Sequence, residues 1–336
     1  MSKQTVLTGI TTTGIPHLGN YVGAIRPAII ASQTGDVKAF YFLADYHALI
    51  KNRDPQLLRE SSLAVAATWL ALGLDTANSV FYRQSDVPQI VELSWIISSA
   101  TAKGLMNRAH AYKAAVQENE DSGSRDPDKG ITMALFNYPV LMAADILIFN
   151  AHKVPVGKDQ IQHIEMARDI AQRFNHMYGE HFVAPEAVVD ERAAVLTGLD
   201  GRKMSKSYNN TIPLFVPSKK LRKLIMKIKT NSLEPGEAKD PDDSAVFDIY
   251  KAFATADETA DYRSRLEAGL GWGDAKQELF EYLDAHLSAP RAEYERLIAQ
   301  PEHVEAELQQ GGSRAREIAA ETIQKVRDAV GISPLG

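Results

Sequence analysis

Three short apolar runs, spaced by helix-patterned stretches, constrain the fold of this chain more than any other feature. Residues 5–10, TVLTGI, read as a buried strand with a glycine turn at Gly9. Residues 38–44 (KAFYFLA) and 79–82 (SVFY) read as the second and third strands. Between the first two, Pro16-His17-Leu18-Gly19-Asn20 leads into a helix carrying Tyr21, Val22 and Ile25, with a kink expected at Pro27. Between the second and third, residues 57–72 have helical spacing. This β-α-β-α-β order predicts an α/β fold with a parallel, doubly wound sheet.

Further on, helices are expected over residues 93–106. Residues 117–130, QENEDSGSRDPDKG, combine acidic residues with two glycines and a proline and read as an exposed, mobile loop. Apolar order resumes from Ile131 to Phe149. Val154-Pro155-Val156-Gly157 reads as a strand and its turn, and residues 159–178 as a helix. Residues 200–210, DGRKMSKSYNN, are polar with a basic centre. From Ser218 the pattern is almost wholly helical, which puts a boundary near residue 200. Gly311-Gly312 is expected to break the pattern, with Ser313 capping a final helix that has Glu317 near its start. There is no internal repeat.

A chain of 336 residues has room for one large unit and a smaller one. It has no cysteine, which excludes disulfides, iron–sulfur clusters, thiolate zinc sites and a thiol nucleophile. The N-terminus does not read as a secretory signal, and apolar runs stop well short of the ~18 residues of a membrane span. A cytoplasmic protein is expected. The formal net charge of −6 counts against a generally basic nucleic-acid binder, although a local basic face can do that work.

Two strings carry chemistry. The first, Pro16-His17-Leu18-Gly19-Asn20, stands after a strand and at a helix start, where N–H groups and the helix dipole favour an anion. Gly19 permits close approach of a ligand to the backbone. His17, protonated or hydrogen-bonding, and the Asn20 amide can meet phosphate oxygens. Alone, the string equally describes a plain strand-turn-helix corner with a surface histidine. The second, Lys203-Met204-Ser205-Lys206-Ser207, sets two ammonium groups and two hydroxyls in a polar loop. That set suits a polyphosphate whose bridging and leaving oxygens gain charge. The plain alternative is a solvated basic turn.

Together the strings resemble the paired signatures of the class I aminoacyl-tRNA synthetases, in order and spacing over the whole chain and best over residues 9–210. Within that class, the strings Tyr138-Pro-Val-Leu-Met142-Ala-Ala-Asp145 and Val154-Pro-Val-Gly157-Lys-Asp159-Gln160-x-Gln-His163 resemble the tryptophanyl branch. The resemblance implies a Rossmann-type catalytic domain (residues 1–200), the lysine loop with a helical anticodon-recognition domain (201–310), and a C-terminal helix packing back (311–336). It also implies a tryptophan–tRNA ligase reaction: the tryptophan carboxylate attacks the α-phosphate of Mg-ATP, and the adenylate then acylates the 3′ end of the tRNA. No protein nucleophile is needed, so positioning and charge stabilisation supply the acceleration.

By the same resemblance, His17, Asn20, Lys203 and Lys206 are the catalytic positions. Thr11, Thr12, Thr13, Gly19, Gly157, Asp159, Met204 and Ser205 join them around ATP, with Gly157 and Asp159 holding the ribose. Leu7, Gly9, His47, Tyr138, Met142, Asp145, Val154, Val156 and Gln160 line the tryptophan pocket. Gln160 faces the polar end of the amino acid. Mg²⁺ arrives with ATP and needs no protein ligand. The partners implied are tryptophan, ATP, tRNA and a second copy of the chain, with no membrane or DNA. Asp145 interrupts the otherwise apolar residues 140–149. It is either a helix carboxylate tilted to solvent or paired to a lysine, or the acceptor for the indole N–H, the one polar handle of that ring. The family strings favour the acceptor.

The chain departs from the common bacterial pattern in places. The opening from Gly9 to Gly14 reads G-I-T-T-T-G, with Thr11 in place of a pocket glutamine. Leu7 replaces an aromatic residue, Lys158 an acidic one, and Ala115 the second lysine of a K-x-K string. Lys219, Lys220, Arg222, Lys223, Lys227 and Lys229 form a basic stretch that meets tRNA phosphates or is simply a solvated helix face. A tyrosyl enzyme of the same class is the nearest rival; Met142, where that branch has glutamine, favours an indole slot. A shorter nucleotidyltransferase lacks the second signature, and a non-catalytic tRNA- or tryptophan-binding paralogue would not need both.

Overall fold

The computed structural model describes residues 3–12, 14–189 and 196–335. Strands β1 (Thr5–Ile10), β2 (Lys38–Leu43), β3 (Ser79–Arg83), β4 (Lys153–Pro155) and β5 (Glu186–Val188) form one sheet in the order β3-β2-β1-β4-β5. Every pairing is parallel, as the β-α-β alternation predicts. Along β2 only Lys38 is exposed, as expected of a strand with both faces covered. The chain crosses from the β2–β3 side of β1 to the β4–β5 side, so the strand order reverses at the carboxyl end of β1. Ligands of open α/β sheets bind in the crevice at such a reversal.

Each face of the sheet has its own core. On one, Leu7, Phe40, Phe42 and Tyr82 pack with Ile90, Leu147, Ile170 and Val326. These come from the helices Pro88–Ala100, Met133–Leu147, Ile161–Tyr178 and Pro301–Val330. On the other, Tyr41, Leu43 and Phe81 meet Val65 and Trp69 of the Pro55–Ala71 helix. That cluster continues through Ile212, Leu221, Ile225, Leu279 and Leu283, so the helical part shares an apolar core with the sheet. Local signals start the helices. Asp54 accepts the Gln56 and Leu57 N–H groups ahead of Pro55, and Thr132 accepts from Leu135.

Two expectations need correction. Gly311 and Gly312 do not end a helix; one helix runs unbroken over Pro301–Val330, and Ser313 caps nothing. A Cβ at Gly311 would overlap the Phe81 carbonyl oxygen, so the glycines are there to let the helix press on β3. The helix covers the open edge of the sheet. Arg314 Nη2 donates to the Ser79 carbonyl at 2.7 Å and the Thr76 carbonyl at 2.6 Å, and Arg316 Nη1 donates to the Asp86 carbonyl at 2.8 Å. Arg83, the last residue of β3, makes a two-pronged ion pair with Glu305 of the same helix at 2.8 and 2.7 Å.

Residues 117–130 are only partly loop. The helix His110–Asp121 takes the first five, and the rest is a tied turn. Asn119 Nδ2 donates to the Pro127 and Lys129 carbonyls at 2.8 and 2.9 Å, and Tyr112 Oη donates to Asp128 at 2.8 Å. Near Pro27, where a kink was expected, the helical winding changes. Tyr21–Ile25 wind as a wide π turn, and Pro27 falls in the first turn of the following helix, Arg26–Thr34. A proline ring clashes with the carbonyl four residues back, and the wider winding relieves that clash.

Candidate active site

The carboxyl ends of the strands bring together residues far apart in sequence. The first signature follows β1 directly. His17, extended and buried, stands before the helical turn Leu18–Asn20. The Asn20 N–H donates to His17 Nδ1 at 3.3 Å, and the His17 N–H donates to Asn20 Oδ1 at 3.1 Å. This reciprocal capping fixes the tautomer: Nδ1 is the acceptor, so the ring proton is on Nε2. Burial, and secondly the Lys206 charge, lower the His17 pKa to about 4. At neutral pH His17 is therefore an uncharged N–H donor, the hydrogen-bonding form of the two its sequence allowed.

The second signature lies against the first. The segment after it pairs with the approach to His17: the Leu18 N–H donates to the Ile212 carbonyl at 3.0 Å, and the Leu214 N–H to the Pro16 carbonyl at 2.9 Å. Met204 is buried, anchoring the loop in the core next to Gly19. The Lys206 Nζ lies 3.2 Å from where a Gly14 side chain would begin, so a larger residue at position 14 would displace the ammonium group. Burial lowers the Lys206 pKa. Lys203 is exposed at the loop's other end. Thr11 is exposed at the end of β1, and Thr12 is buried with no partner for its hydroxyl among the described residues. Thr13 lies outside the described residues.

On the far side of β1, β4 leads to Val156 and Gly157. Asp159 folds back over Gly157, with Oδ1 2.8 Å from where a Cβ there would sit. Gln160 Nε2 donates to Asp159 Oδ2 at 2.8 Å, and Gln160 Oε1 lies 3.0 Å from His163 Nδ1. His163 in turn contacts the Tyr138 hydroxyl. A polar chain thus runs from Asp159 through Gln160 and His163 to Tyr138. Burial, with a smaller contribution from Asp159, pushes the Tyr138 hydroxyl up to about 12.

Leu7 and Val154 are buried on neighbouring strands β1 and β4. Gly9 is open, with the Phe42 ring 3.0 Å from where its Cβ would be. Met142 is half-buried one turn before Asp145, which is wholly buried. The Asp145 carboxylate is neither tilted to solvent nor paired to lysine. His47 Nε2 meets its Oδ2, and Gln84 Nε2 donates to Oδ1 at 2.8 Å and Oδ2 at 2.9 Å. The Gln84 Oε1 is held by the Tyr46 N–H at 3.1 Å, which fixes the orientation of its amide. Burial raises the Asp145 pKa; the His47 and Gln84 contacts act against it. Burial and the Asp145 charge likewise raise that of Tyr82.

The sequence reading missed Gln84, Tyr82 and the place of His163. A signal for Gln84 existed: a polar side chain immediately after a buried strand, at the end where ligands of such sheets bind.

Two loops meet over a switch point, one offering a neutral histidine and the other two lysines, a donor set that suits an anion. A family model describing class I tRNA synthetases (W and Y) matches residues 1–288, and the chain belongs to that family. It is 60% identical over 335 residues to a tryptophan–tRNA ligase of Neisseria meningitidis, covering 100% of both chains. It is 60% identical over 333 residues to one of Pseudomonas aeruginosa, covering 98% of this chain and 74% of that one. A tryptophanyl-tRNA synthetase from Campylobacter jejuni, solved in complex with ADP and tryptophan, superposes with a TM-score of 0.89. That likeness is at 42% identity, over 98% of this chain and 100% of the other. Within the family, these likenesses put the chain in the bacterial tryptophanyl branch.

Proposed function

We propose that the chain is a tryptophan–tRNA ligase whose two signatures work as one site. The observation that carries this reading is the approach of Lys206 to Gly14 beside His17, at the strand edge where Asp145 is held by His47 and Gln84. Tryptophan enters the slot between β1 and β4, with Asp145 accepting the indole N–H and Met142, Val154 and Val156 as walls. Gln160 faces its ammonium and carboxylate end. Asp159 and Gly157 take the ribose of ATP, and Mg²⁺ travels on its phosphates.

The carboxylate of tryptophan attacks the α-phosphorus and the bond to the bridging oxygen breaks, releasing pyrophosphate. His17 Nε2–H, the Asn20 amide and the Lys203 and Lys206 ammonium groups meet charge that builds on the phosphate oxygens, so they act on the rate more than on ground-state affinity. The test is tryptophan-dependent ATP–pyrophosphate exchange in the presence and absence of Mg²⁺. Active-site-titrated protein that binds tryptophan without exchange would support the non-catalytic paralogue.

The tRNA partner is supported by the helix Ser218–Met226. Its Leu221 and Ile225 are buried while Lys219, Lys220, Arg222 and Lys223 face outward. The dimer is supported by the helix Pro88–Ala100, on which Trp95 is 81% exposed and Val91 45%. Four residues apart, they share one helix face, and an indole left this bare marks a contact surface. We retain the functional division at residues 200 and 310, with the last boundary falling inside one continuous helix. The charging of tRNA proposed here is a reason to expect the chain in the cytoplasm.

A further inference from the structure

The signature loop is gripped from within by a side chain at its end. Asn210 is buried, and chemistry assigns both ends of its amide. Its Oδ1 accepts the Ser205 backbone N–H at 2.8 Å. Its Nδ2 faces only acceptors: Asp200 Oδ1 at 2.6 Å, the Lys203 carbonyl at 3.1 Å and the Arg202 carbonyl at 3.4 Å. The flipped amide would set oxygen against three oxygens. The Asn210 backbone carbonyl accepts the Leu199 N–H at 2.9 Å. Gly198 is required beside it, because a Cβ there would overlap Nδ2.

This grip falls on either side of Met204, whose side chain is buried and whose N–H donates to the Leu196 carbonyl at 2.8 Å. The backbone of Lys203 and Ser205 is clamped, while the Lys203 residue is exposed and the Lys206 side chain reaches Gly14. Asp200 is a dependable acceptor: the Asn210 bond first, and Arg202 with it, bring its carboxyl down to about 2.

We propose that Asn210 is a positioning residue for adenylate formation, setting where the Lys203 and Lys206 ammonium groups stand by clamping the backbone between them. The proposal rests on the reading of those lysines as pyrophosphate-stabilising cations. Asn210 acts through the loop and touches no substrate. A cation that works mainly in the transition state is sensitive to placement, and an error of about 1 Å can cost on the order of 100-fold in rate. Substrate affinity in the ground state is much less sensitive.

The experiment uses the full chain and compares Asn210→Ala, Lys206→Ala and the double variant in tryptophan-dependent ATP–pyrophosphate exchange. Tryptophan Kd is measured by calorimetry without ATP. Asn210→Ala is expected to lower the exchange kcat by about 10-fold to 100-fold with tryptophan Kd within about twofold. The double variant should be slower than Lys206→Ala by a smaller factor than Asn210→Ala costs on its own, since only Lys203 is left for the clamp to place. Asn210→Asp, nearly the same shape, keeps the acceptor for Ser205 but turns an oxygen on Asp200 and Lys203. It should be slow as well, and adding Asp200→Asn should restore part of the rate by returning a donor. That pair carries the test if the alanine variant does not fold. Asn210→Ala within twofold of wild type, when Lys206→Ala is slow, overturns the clamp alone. So does a fall in tryptophan affinity in step with kcat. A Lys206→Ala variant of normal rate overturns the underlying reading of the lysines instead.

Discussion

His47 Nε2 lies 2.9 Å from Asp145 Oδ2, joining the turn after β2 to a carboxylate with only 1% of its side chain exposed. Gln84, from the end of β3, donates to the same carboxylate, so three segments converge on one buried charge. Such a charge costs stability unless hydrogen-bonded, and here His47 and Gln84 supply the bonds. Asp145→Ala is expected to lower kcat/KM for tryptophan by about 2–3 kcal/mol, the range for hydrogen bonds to charged groups, and for phenylalanine by much less. Exchange kinetics with tryptophan, tyrosine and phenylalanine check this. Undiminished preference for tryptophan would make the carboxylate structural.

His17 predicts a pH dependence with a definite sign. Its folded-state pKa of about 4 lies below the ordinary 6.5, so between those values the unfolded chain binds the extra proton. Its contribution to stability is therefore complete above about 6.5 and lost as pH falls towards about 4. Thermal unfolding from pH 7 to pH 4 should show a smaller fall in Tm for His17→Asn than for wild type. Equal slopes would mean that His17 is not buried as a neutral ring.

The basic helix should separate the two half-reactions. Replacing Lys219, Lys220 and Lys223 with glutamate is expected to leave pyrophosphate exchange within about twofold while weakening tRNA charging. The salt dependence of tRNA binding should flatten by about one unit of log–log slope for each phosphate that the helix no longer neutralises. Unaltered charging would assign the helix to a solvated face.

Trp95 should control assembly. The wild-type chain is expected to scatter light as two copies at micromolar concentration, and Trp95→Glu as one, because a carboxylate would be buried unpaired at the contact. A wild-type protein with the mass of a single chain would refute the dimer.

Gly311→Ala tests the contact with the sheet edge. Glycine to alanine inside a helix ordinarily stabilises by about 1 kcal/mol. Here the new methyl would overlap the Phe81 carbonyl, and overpacking against backbone costs about 1–3 kcal/mol, so the net change should be destabilising. Gly273→Ala, with open space around it in the helix Trp272–Ala299, is the control and should be neutral or stabilising. If both variants gain stability in chemical denaturation, the close approach is not real.

How much of this was legible in the sequence depended on how long each signal ran. β1, β2 and β3 have five or six residues of apolar strand bounded by turns, and they read plainly. β5 has three, Glu-Ala-Val, too few for any periodicity to show. Gly311-Gly312 was misread because a glycine pair that ends a helix and one that lets a helix touch a strand look the same until the neighbour is known. The polar stretch 117–130 was read by composition, yet Asn119 and Tyr112 find partners ten and sixteen residues on that composition cannot reveal. At the site, the two phosphate strings were visible because their spacing is local. The setting of Asp145 was not, since Gln84 is 61 residues away and reaches it only through the order of strands in the sheet.

The placement of the last helix on β3 carries a consequence for timing. Synthesis runs from the amino to the carboxyl end, so β3, with Gln84 just after it, is made long before the helix Pro301–Val330. Its outer edge is sealed by Gly311, Arg314 and Arg316, which emerge much later. Until they do, the nascent protein holds a bare strand at the edge of its sheet, the state in which chains pair wrongly with one another. Proteolysis of chains arrested before residue 301 should find the β3 segment open, and chains carrying the whole helix should find it closed.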